Sequence, residues 1–367
     1  EKGYQKAFQL FQQVLELDSS VVETYGALAA ICIKTHKPNE AVQFCKQGLN
    51  LQNTNKECLY NINIALRQMG RIEEAINLSW NAIVSSTKPT KPINLPSLHV
   101  PNNPSLIHEQ QQQELTIVCI KWGTKYNAQY VNNLYSALLR NIPEQRTFHL
   151  LCYTDDTTDV HPSVKCQSFS TESTTWQGWW MKAQIFAAST ILNDWTLYID
   201  LDTVICGSLA FIYDLIEKSR EECQFPHQNP SSKDFYILKV DSLQNEARSV
   251  GMNSSLLLWN AALPVYSALY DYLLGHYAAV TAVVYKFDHY LEMMLYKHAS
   301  MPQCGYLQDY CPGQVVDYFT AQRFFRESGN TIARDNGNGI PAIVCFPLQP
   351  KPHEVKDSEA WVLEHWQ

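Results

Sequence analysis

The sequence has few charged residues and lacks the short motifs that define several large classes of protein. Charged side chains make up 17% of its 367 residues, below the ~25% that is usual in globular chains. Hydrophobic residues make up 46%, which excludes disorder over most of the length. The 11 cysteines include no C-x-x-C pair, which argues against a zinc ribbon or a thioredoxin-type site. The 14 glycines form no G-x-G-x-x-G and no Walker A loop, so neither dinucleotide nor P-loop phosphate binding is supported.

Positive charge and long apolar runs are also scarce. The balance of 28 Lys and Arg against 36 Asp and Glu gives a net charge of −8, so no overall positive field favours nucleic acid or an anionic membrane. The longest apolar stretch, residues 261–285, contains Asp271 and His276 and lacks the ~18 clean apolar residues of a membrane span. The sequence therefore predicts neither a nucleic-acid-binding protein nor a membrane span.

The cysteines bear on the cellular location of the protein, and the first residue bears on whether the sequence is part of a longer chain. A disulfide framework is unexpected in a chain of this length, and scattered cysteines favour a reducing environment, so we expect a cytoplasmic protein. The chain begins at Glu1, without Met and within a helical pattern. We therefore expect it to be cut from a longer protein, whose upstream part leaves room for a signal or an anchor.

The first 87 residues repeat with a period of 34. Small residues recur at Ala7, Ala41 and Ala75, where paired helices can approach closely. Two further columns share this spacing: Leu10, Phe44 and Leu78, and Leu15, Leu49 and Ile83. A period of this length is typical of stacked units of two helices. Residues 1–87 therefore resemble tetratricopeptide repeats, half of one and two whole ones, although a helical bundle with accidental spacing is the alternative.

Composition divides the rest of the chain into a linker and an α/β region. Residues 88–113 are rich in proline and glutamine, which predicts a stiff, solvated linker. From residue 114 onward, apolar runs alternate with helical patterns. The predicted strands are 115–120, 148–153 and 195–199, and the predicted helices are 127–141 and 181–192. This alternation predicts that residues 114–367 form an α/β domain with helices on both faces of the sheet.

A pair of aspartates follows the third of these strands. Asp200 and Asp202 form the only D-x-D sequence in the chain, and ligands of α/β sheets lie at the carboxyl ends of the strands. Two carboxylates at this spacing can reach one hard cation, and oxygen ligands suit Mn²⁺ or Mg²⁺ shared with substrate phosphates. Such an ion would neutralise charge on a diphosphate leaving group. A solvated turn is the alternative interpretation.

Five segments of the α/β region resemble a known class of enzymes. Residues 197–204, Leu-Tyr-Ile-Asp-Leu-Asp-Thr-Val, resemble the metal motif of GT-A glycosyltransferases. Four others resemble enzymes similar to glycosyltransferase family 8: residues 117–139, 178–182, 252–259 and 350–366. The resemblance implies a Rossmann-like GT-A fold and retaining hexosyl transfer from a nucleotide-diphosphate donor, with UDP-sugars expected.

The resemblance also implies how the donor would be bound. Trp122 and Tyr126 lie in the turn after the first strand, where Tyr126 would stack on the nucleotide base. Asp156 follows the second strand and would contact base or ribose. For each residue, an ordinary surface, turn or core role stays open.

Further residues correspond to the phosphate and sugar side of such a site. Lys182 would counter phosphate charge, Lys351 would hold the leaving diphosphate, and Asn253 would hydrogen-bond the sugar. An ordinary exposed helix lysine for Lys182 and a structural amide for Asn253 stay open as alternatives. Asp288 and His289 stand where the family tends to have an Asp-Gln pair that faces donor sugar and acceptor, although a helix cap or a surface carboxylate is the alternative for Asp288. Because histidine replaces glutamine, we expect the choice of sugar to differ.

One departure from the family concerns the metal. The family usually has a metal-binding histidine in a Phe-His-Gly stretch, where this chain has Phe346-Pro347-Leu348. Since proline cannot ligate a metal, three outcomes stay open: His353 or His365 substitutes, water completes the shell, or the enzyme is weakened. With Asp200 and Asp202, His353 is the third predicted ligand.

Two functions therefore compete. The first is a metal-dependent glycosyltransferase. Its repeats would hold a protein acceptor or a partner complex, and a glycan acceptor is a variant of the same function. The second is an interaction scaffold, in which the repeats bind a protein partner and the transferase-like domain is catalytically impaired. The enzyme is favoured because an impaired site has little reason to keep two carboxylates and two lysines, and this chain has Asp200, Asp202, Lys182 and Lys351.

Overall fold

A computed structural model describes residues 2–87, 114–173, 175–187, 194–224, 233–243, 250–297, 304–327 and 340–367. The linker predicted over 88–113 therefore lies outside the described residues. Over the ranges given, none of the helices is long and apolar enough to cross a membrane.

The described elements are thirteen α-helices, ten strands and several short 3₁₀ helices. The helices are α1 Lys2–Leu17, α2 Val22–Lys34, α3 Pro38–Leu51, α4 Lys56–Gln68, α5 Ile72–Ser86, α6 Ala128–Asn141, α7 Ala210–Gln224, α8 Ser267–Thr281, α9 Phe287–Lys297, α10 Leu307–Tyr310, α11 Tyr318–Glu327, α12 Pro352–Val355 and α13 Ala360–His365. The strands are β1 Glu114–Lys121, β2 Thr147–Thr154, β3 Lys165–Gln167, β4 Trp195–Ile199, β5 Thr203–Ile205, β6 Phe235–Lys239, β7 Met252–Asn260, β8 Gly305–Tyr306, β9 Val315–Asp317 and β10 Ile343–Cys345.

The chain divides into two compact units. Among the described residues, the helical unit contains 2–87, 250–251 and 271–297, and the sheet unit contains the remainder. The sequence did not predict that residues 271–297, which include α9, would group with the repeats.

The helical unit begins with five helices, each packed on the next along the chain. The second helices of the repeats are α1, α3 and α5, and Ala41 and Ala75 are fully buried in α3 and α5. A buried amide ties α4 to α2, since Asn61 Nδ2 donates to the Gly26 carbonyl at 3.0 Å. The helix pairs predicted from the 34-residue period are thus present, and the tetratricopeptide identity stays a resemblance.

The sheet unit is built on a mixed seven-stranded sheet in the order β3-β2-β1-β4-β7-β6-β8. Strands β1 to β4 pair in parallel, whereas β7 runs antiparallel to both β4 and β6. The strands carry long apolar runs because both faces of the sheet are covered, and the inner positions of β1 and β4 are almost entirely buried. An α/β class is therefore confirmed, with a mixed sheet.

The strand order creates a switch point between β1 and β4. From β1 the chain adds β2 and then β3 on one side, and β4 then pairs with the opposite side of β1. Connections leave in opposite directions at such a point, which opens a crevice at the carboxyl ends of the two strands. A small sheet of β5, β10 and β9 follows directly on this edge, because β5 begins right after Asp202.

The helix predicted over 181–192 is wrong in its described part. Gly178–Phe186 forms a 3₁₀ helix in place of the start of that α-helix, and Ala187 is extended. Residues 188–193 lie outside the described ranges. Tertiary packing overrides the helical pattern here: Trp180 is buried, and the Phe186 ring lies 5.1 Å from the Trp259 ring.

Candidate active site

Four charged side chains meet at the switch point, and we call them the Asp–Lys cluster: Lys182, Asp200, Asp202 and Lys351. Asp200 follows β4, and Asp202 precedes β5. The other two come from distant segments, Lys182 from the 3₁₀ helix over Gly178–Phe186 and Lys351 from the residue before α12. The structure thus brings together four residues that the sequence analysis assigned to phosphate or metal.

Asp200 is held by a lysine and a tyrosine. Lys182 Nζ lies 2.8 Å from the Asp200 carboxylate, and the Tyr198 hydroxyl donates to Oδ1 at 2.6 Å. Lys182 also reaches Ser254, whose Oγ is 3.2 Å from Nζ. The Asp200 N–H donates to the Ser255 carbonyl at 2.9 Å, which fixes the aspartate against β7.

Asp202 has a matching pair of partners. Lys351 Nζ lies 2.6 Å from Asp202 Oδ2, and the Tyr126 hydroxyl donates to the same oxygen at 2.7 Å. Lys351 Nζ also donates to the Phe346 carbonyl at 2.6 Å. Tyr126 was predicted to stack on a base, but its ring lies 4.6 Å from the Tyr130 ring and its hydroxyl binds Asp202. Base stacking by Tyr126 stays a prediction.

The electrostatics show that the two carboxylates share one neighbourhood. Burial, followed by the charges of Asp200 and then Asp202, raises the pKa of the Cys345 thiol. Burial, followed by Asp202, also raises the pKa of Tyr126, so that this hydroxyl stays a donor. Two carboxylates and two ammonium groups give the cluster a formal charge of zero. Each carboxylate is therefore already paired with an ammonium group of the protein before a ligand binds.

Asp200 and Asp202 do not form a preformed metal centre. Their oxygens are of the kind that Mn²⁺ and Mg²⁺ prefer, but three of the four oxygens already accept a bond from lysine or tyrosine. Within the described ranges, no three His, Cys, Asp or Glu side chains are grouped to hold an ion. The residues thus do not fit a metal by themselves, and Mn²⁺ or Mg²⁺ coordination stays a prediction.

His353, the predicted third ligand, is engaged elsewhere. Its Nδ1 forms a hydrogen bond with the Tyr130 hydroxyl, and the Tyr130 ring packs against Trp366 at 4.9 Å. Burial, with smaller contributions from Asp202 and Glu354, raises the pKa of Tyr130 to about 12. The segment after Phe346 therefore docks on α6 through His353 and Trp366, and this docking positions Lys351.

Two loops lie beside the cluster at the same edge of the sheet. Lys121, which ends β1 and is 3% exposed, donates from Nζ to the Asp156 carbonyl at 2.9 Å. The Gly123 N–H donates to the Asp155 carboxylate at 3.0 Å. Trp122 is half-buried between these two contacts. The loops after β1 and β2 are thus tied together, with the Asp156 side chain largely exposed.

Asn253 lies next to the cluster through its neighbours on β7. Its Oδ1 accepts the Ser255 N–H at 2.8 Å, and the residue is almost completely buried. Because Ser254 and Ser255 contact Lys182 and Asp200, Asn253 is one residue away from the cluster along the strand. Its predicted contact with a sugar stays a prediction.

No protein-family model matches the chain, and no curated protein matches its sequence. Similar solved structures are glycosyltransferases. The galactosyltransferase LgtC, in complex with donor and acceptor sugar analogues, is 10% identical with a TM-score of 0.41, and the match covers 65% of this chain and 88% of LgtC. Mouse xyloside xylosyltransferase 1 is 14% identical with a TM-score of 0.36, over 65% of this chain and 100% of that one. The bifunctional glycosyltransferase WbbM is 11% identical with a TM-score of 0.41, and the match covers 70% of this chain and 52% of WbbM. TM-scores below 0.5 at this identity decide neither the fold nor the activity of this chain.

Asp288 and His289 belong to the helical unit. Both are buried at the start of α9, and Lys286 Nζ lies 2.8 Å from Asp288 Oδ2. The resemblance predicts that they face donor sugar and acceptor, whereas the other candidate residues lie in the sheet unit. A role of Asp288 or His289 in binding donor or acceptor stays a prediction.

Tyr198, Tyr130 and Lys121 had no predicted role in the site. Tyr198 precedes Asp200 by two residues, and the two-residue period of a strand predicts that both side chains share a face. This signal was available. Lys121 is an ionisable residue at the end of a buried strand, which is a second available signal. The contacts of Tyr126 and Tyr130 had no such signal, because they depend on tertiary structure.

Proposed function

We propose that the chain is a glycosyltransferase of GT-A type that moves a sugar from a nucleotide-diphosphate donor to an acceptor. The observation that carries this proposal is the Asp–Lys cluster at the switch point between β1 and β4. A leaving diphosphate needs positive charge, and Lys182 and Lys351 supply two ammonium groups at the edge of the sheet where ligands bind.

The proposed reaction breaks the bond between the sugar carbon and the diphosphate oxygen. The electron pair leaves with the diphosphate, whose growing charge faces the ammonium groups of Lys182 and Lys351. The acceptor hydroxyl bonds to the sugar carbon and loses its proton, which can pass to the departing phosphate oxygen. Retention at the sugar carbon, uridine as the base and a hexosyl group belong to this proposal through the resemblance alone.

The repeats are assigned to the acceptor side of this proposal. Stacked helix pairs offer extended surfaces suited to binding protein segments, so we propose that α1 to α5 bind a protein acceptor or a protein partner. A glycan acceptor is a variant of the same proposal. A scaffold without transferase activity is the second candidate, favoured by Pro347 in the place of the usual metal-binding histidine.

A panel of nucleotide sugars tests the proposal. We expect one donor to be hydrolysed, or to raise the thermal unfolding midpoint of the full chain, with Mn²⁺ added in one series and a chelator in another. Asp200→Ala should slow donor hydrolysis, because Lys182 and Tyr198 lose the shared partner that positions them beside the leaving diphosphate. Asp214→Ala, at an exposed aspartate on α7, is the matched control. If no donor responds while the repeats still capture a protein partner, the scaffold is correct.

The tie between the loops after β1 and β2 gives a second prediction. Lys121→Met removes the bond to the Asp156 carbonyl and loosens the loop proposed to contact base or ribose. We expect the KM for the donor to rise about tenfold, the effect of one hydrogen bond from a charged group, with little change in kcat. Steady-state kinetics measure this split, and Lys165→Met on the exposed side of β3 is the control. A fall in kcat at unchanged KM would contradict a positioning role for Lys121.

A further inference from the structure

We infer that the diphosphate of the donor is bound by the ammonium groups of Lys182 and Lys351, and that donor binding needs no divalent metal ion. The inference rests on the proposed function and departs from the metal dependence that the sequence resemblance implies. Three observations on the Asp–Lys cluster carry it: the occupancy of the carboxylates, the burial of the ammonium groups, and the absence of a third ligand group in the described part of the chain.

The carboxylates are already neutralised by the protein. Lys182 Nζ is 2.8 Å from Asp200 and Lys351 Nζ is 2.6 Å from Asp202, both within the range of strong charge-assisted hydrogen bonds. The Tyr198 and Tyr126 hydroxyls occupy the same carboxylates. An ion that bound both aspartates would have to compete with four donors, whereas a diphosphate needs only to approach the two ammonium groups.

Burial makes displacement of the lysines costly. The side chains of Lys182 and Lys351 are only 17% and 10% exposed. An ammonium group at such a position loses much of its hydration, so removal of its carboxylate partner leaves a poorly solvated charge. A metal ion that arrives without nucleotide brings no new partner for either lysine. We therefore expect Mn²⁺ alone to bind the chain weakly.

Lys351 keeps a donor for a ligand, whereas Lys182 Nζ already contacts Asp200, the Ser254 carbonyl at 3.4 Å and Ser254 Oγ at 3.2 Å, so a phosphate oxygen would replace one of the longer Ser254 contacts. An ammonium group has three N–H donors, and the Lys351 donors have two acceptors, Asp202 Oδ2 and the Phe346 carbonyl. The remaining donor can bind a phosphate oxygen while Lys351 stays in place. Lys182 pairs with the first aspartate of the D-x-D sequence and Lys351 with the second. Two ammonium groups on one such sequence suit a ligand with two linked phosphates.

No histidine completes a metal shell in the described ranges. Pro347 stands where the resemblance expects a histidine ligand, His353 binds the Tyr130 hydroxyl, and no group of three ligating side chains is found. A lysine point charge is an established partner for phosphate. The chain thus has the positive charge of a metal-bound site within its own side chains.

The test measures binding of nucleoside diphosphates to the full chain by titration calorimetry. UDP, GDP, ADP and CDP are titrated with EDTA and with Mn²⁺, and inorganic pyrophosphate serves as the probe that lacks a base. We expect one nucleoside diphosphate to bind in EDTA with a Kd within about threefold of its value in Mn²⁺, a difference smaller than one charged hydrogen bond.

Two substitutions separate lysine from metal. Lys351→Met should weaken binding in EDTA by about tenfold or more, and Lys351→Arg should restore part of the loss, because it returns the charge. Asp202→Asn should leave binding in EDTA unchanged or tighter, since it removes a carboxylate that competes for the ammonium group. A metal-held diphosphate predicts the opposite, a loss of binding in Asp202→Asn. Lys218→Met, an exposed lysine on α7, is the control, and unfolding midpoints confirm that each variant is folded.

The outcomes distinguish this inference from the proposed function. Binding that appears only with Mn²⁺, or that disappears in Asp202→Asn, overturns the inference and leaves the glycosyltransferase proposal standing. Binding in EDTA that depends on Lys351 supports both. The lack of binding of every nucleoside diphosphate and of pyrophosphate, with and without Mn²⁺, overturns both and favours the scaffold. The wild-type comparison of EDTA with Mn²⁺ decides the matter even where a variant fails to fold.

Discussion

Replacement of Lys182 by methionine is expected to lower turnover of the nucleotide-sugar donor by at least about 100-fold, the usual cost of losing one donor that faces developing charge. Lys182 Nζ touches both Asp200 and Ser254, so it stands at the centre of the proposed diphosphate site. Methionine has a similar length but cannot stabilise charge on the leaving group. The initial rate of donor hydrolysis, measured at saturating donor, reports this loss as a fall in kcat.

Two comparisons make the Lys182 result specific. Lys182→Arg keeps the charge in a different shape, so we expect intermediate turnover. Lys218→Met makes the same chemical change at an exposed position on α7 and should leave turnover unchanged. Equal turnover in wild type and Lys182→Met, with both folded, would remove Lys182 from the proposed mechanism and with it half of the inferred diphosphate site.

The strands nearest the site could be predicted because they are buried on both faces. The predicted strand 115–120 corresponds to β1, and 195–199 coincides with β4. The helix predicted over 127–141 corresponds to α6, whose N-cap Asn127 accepts the Gln129 N–H. Long apolar runs and a capped amphipathic helix are local signals, so no tertiary information was needed. The 3₁₀ helix over Gly178–Phe186 was missed because aromatic packing, which is not local, decides its form.

The pairing within the site is a different kind of information. The sequence pointed to Asp200 and Asp202 because they follow a buried strand, and to Lys182 and Lys351 through a resemblance. It did not show that each aspartate would bind one lysine and one tyrosine. Tyr126 and Asp202 are 76 residues apart, and only the parallel pairing of β1 with β4 brings them together. The sequence therefore predicts a metal site at the two aspartates, whereas the structure shows each aspartate paired with a lysine.

The grouping of α9 with the repeats had no local signal either. Its residues follow the helical pattern expected of any buried helix, and the resemblance drew attention to Asp288 and His289 at its start. One turn after Asp288, Glu292 forms a buried ion pair with Arg67 of α4, and the Glu292 side chain is 3% exposed. These two residues are 225 positions apart in the chain. A buried arginine within a repeat is a sign of such a distant partner, since arginine is almost never fully buried unless it is paired.

Arg67→Met is expected to destabilise the helical unit by about 3–5 kcal/mol, the cost of breaking one side of a buried ion pair. Arg67 is 2% exposed, and its Nε also donates to Asn63 Oδ1 at 3.0 Å. Without the guanidinium, Glu292 and Asn63 lose a buried partner. In a unit of this size, calorimetry should show a fall of more than about 10 °C in the transition of the helical unit.

The double variant Arg67→Met with Glu292→Met separates loss of charge pairing from loss of packing. If the damage in Arg67→Met comes from loss of the ion pair with Glu292, removal of the Glu292 carboxylate should recover most of the lost stability. Arg71→Met is the matched control, because Arg71 forms an exposed ion pair with Glu74 on the same unit and such pairs contribute little. A double variant as unstable as Arg67→Met alone would show that the arginine acts through its packing and its bond to Asn63, and not through the ion pair.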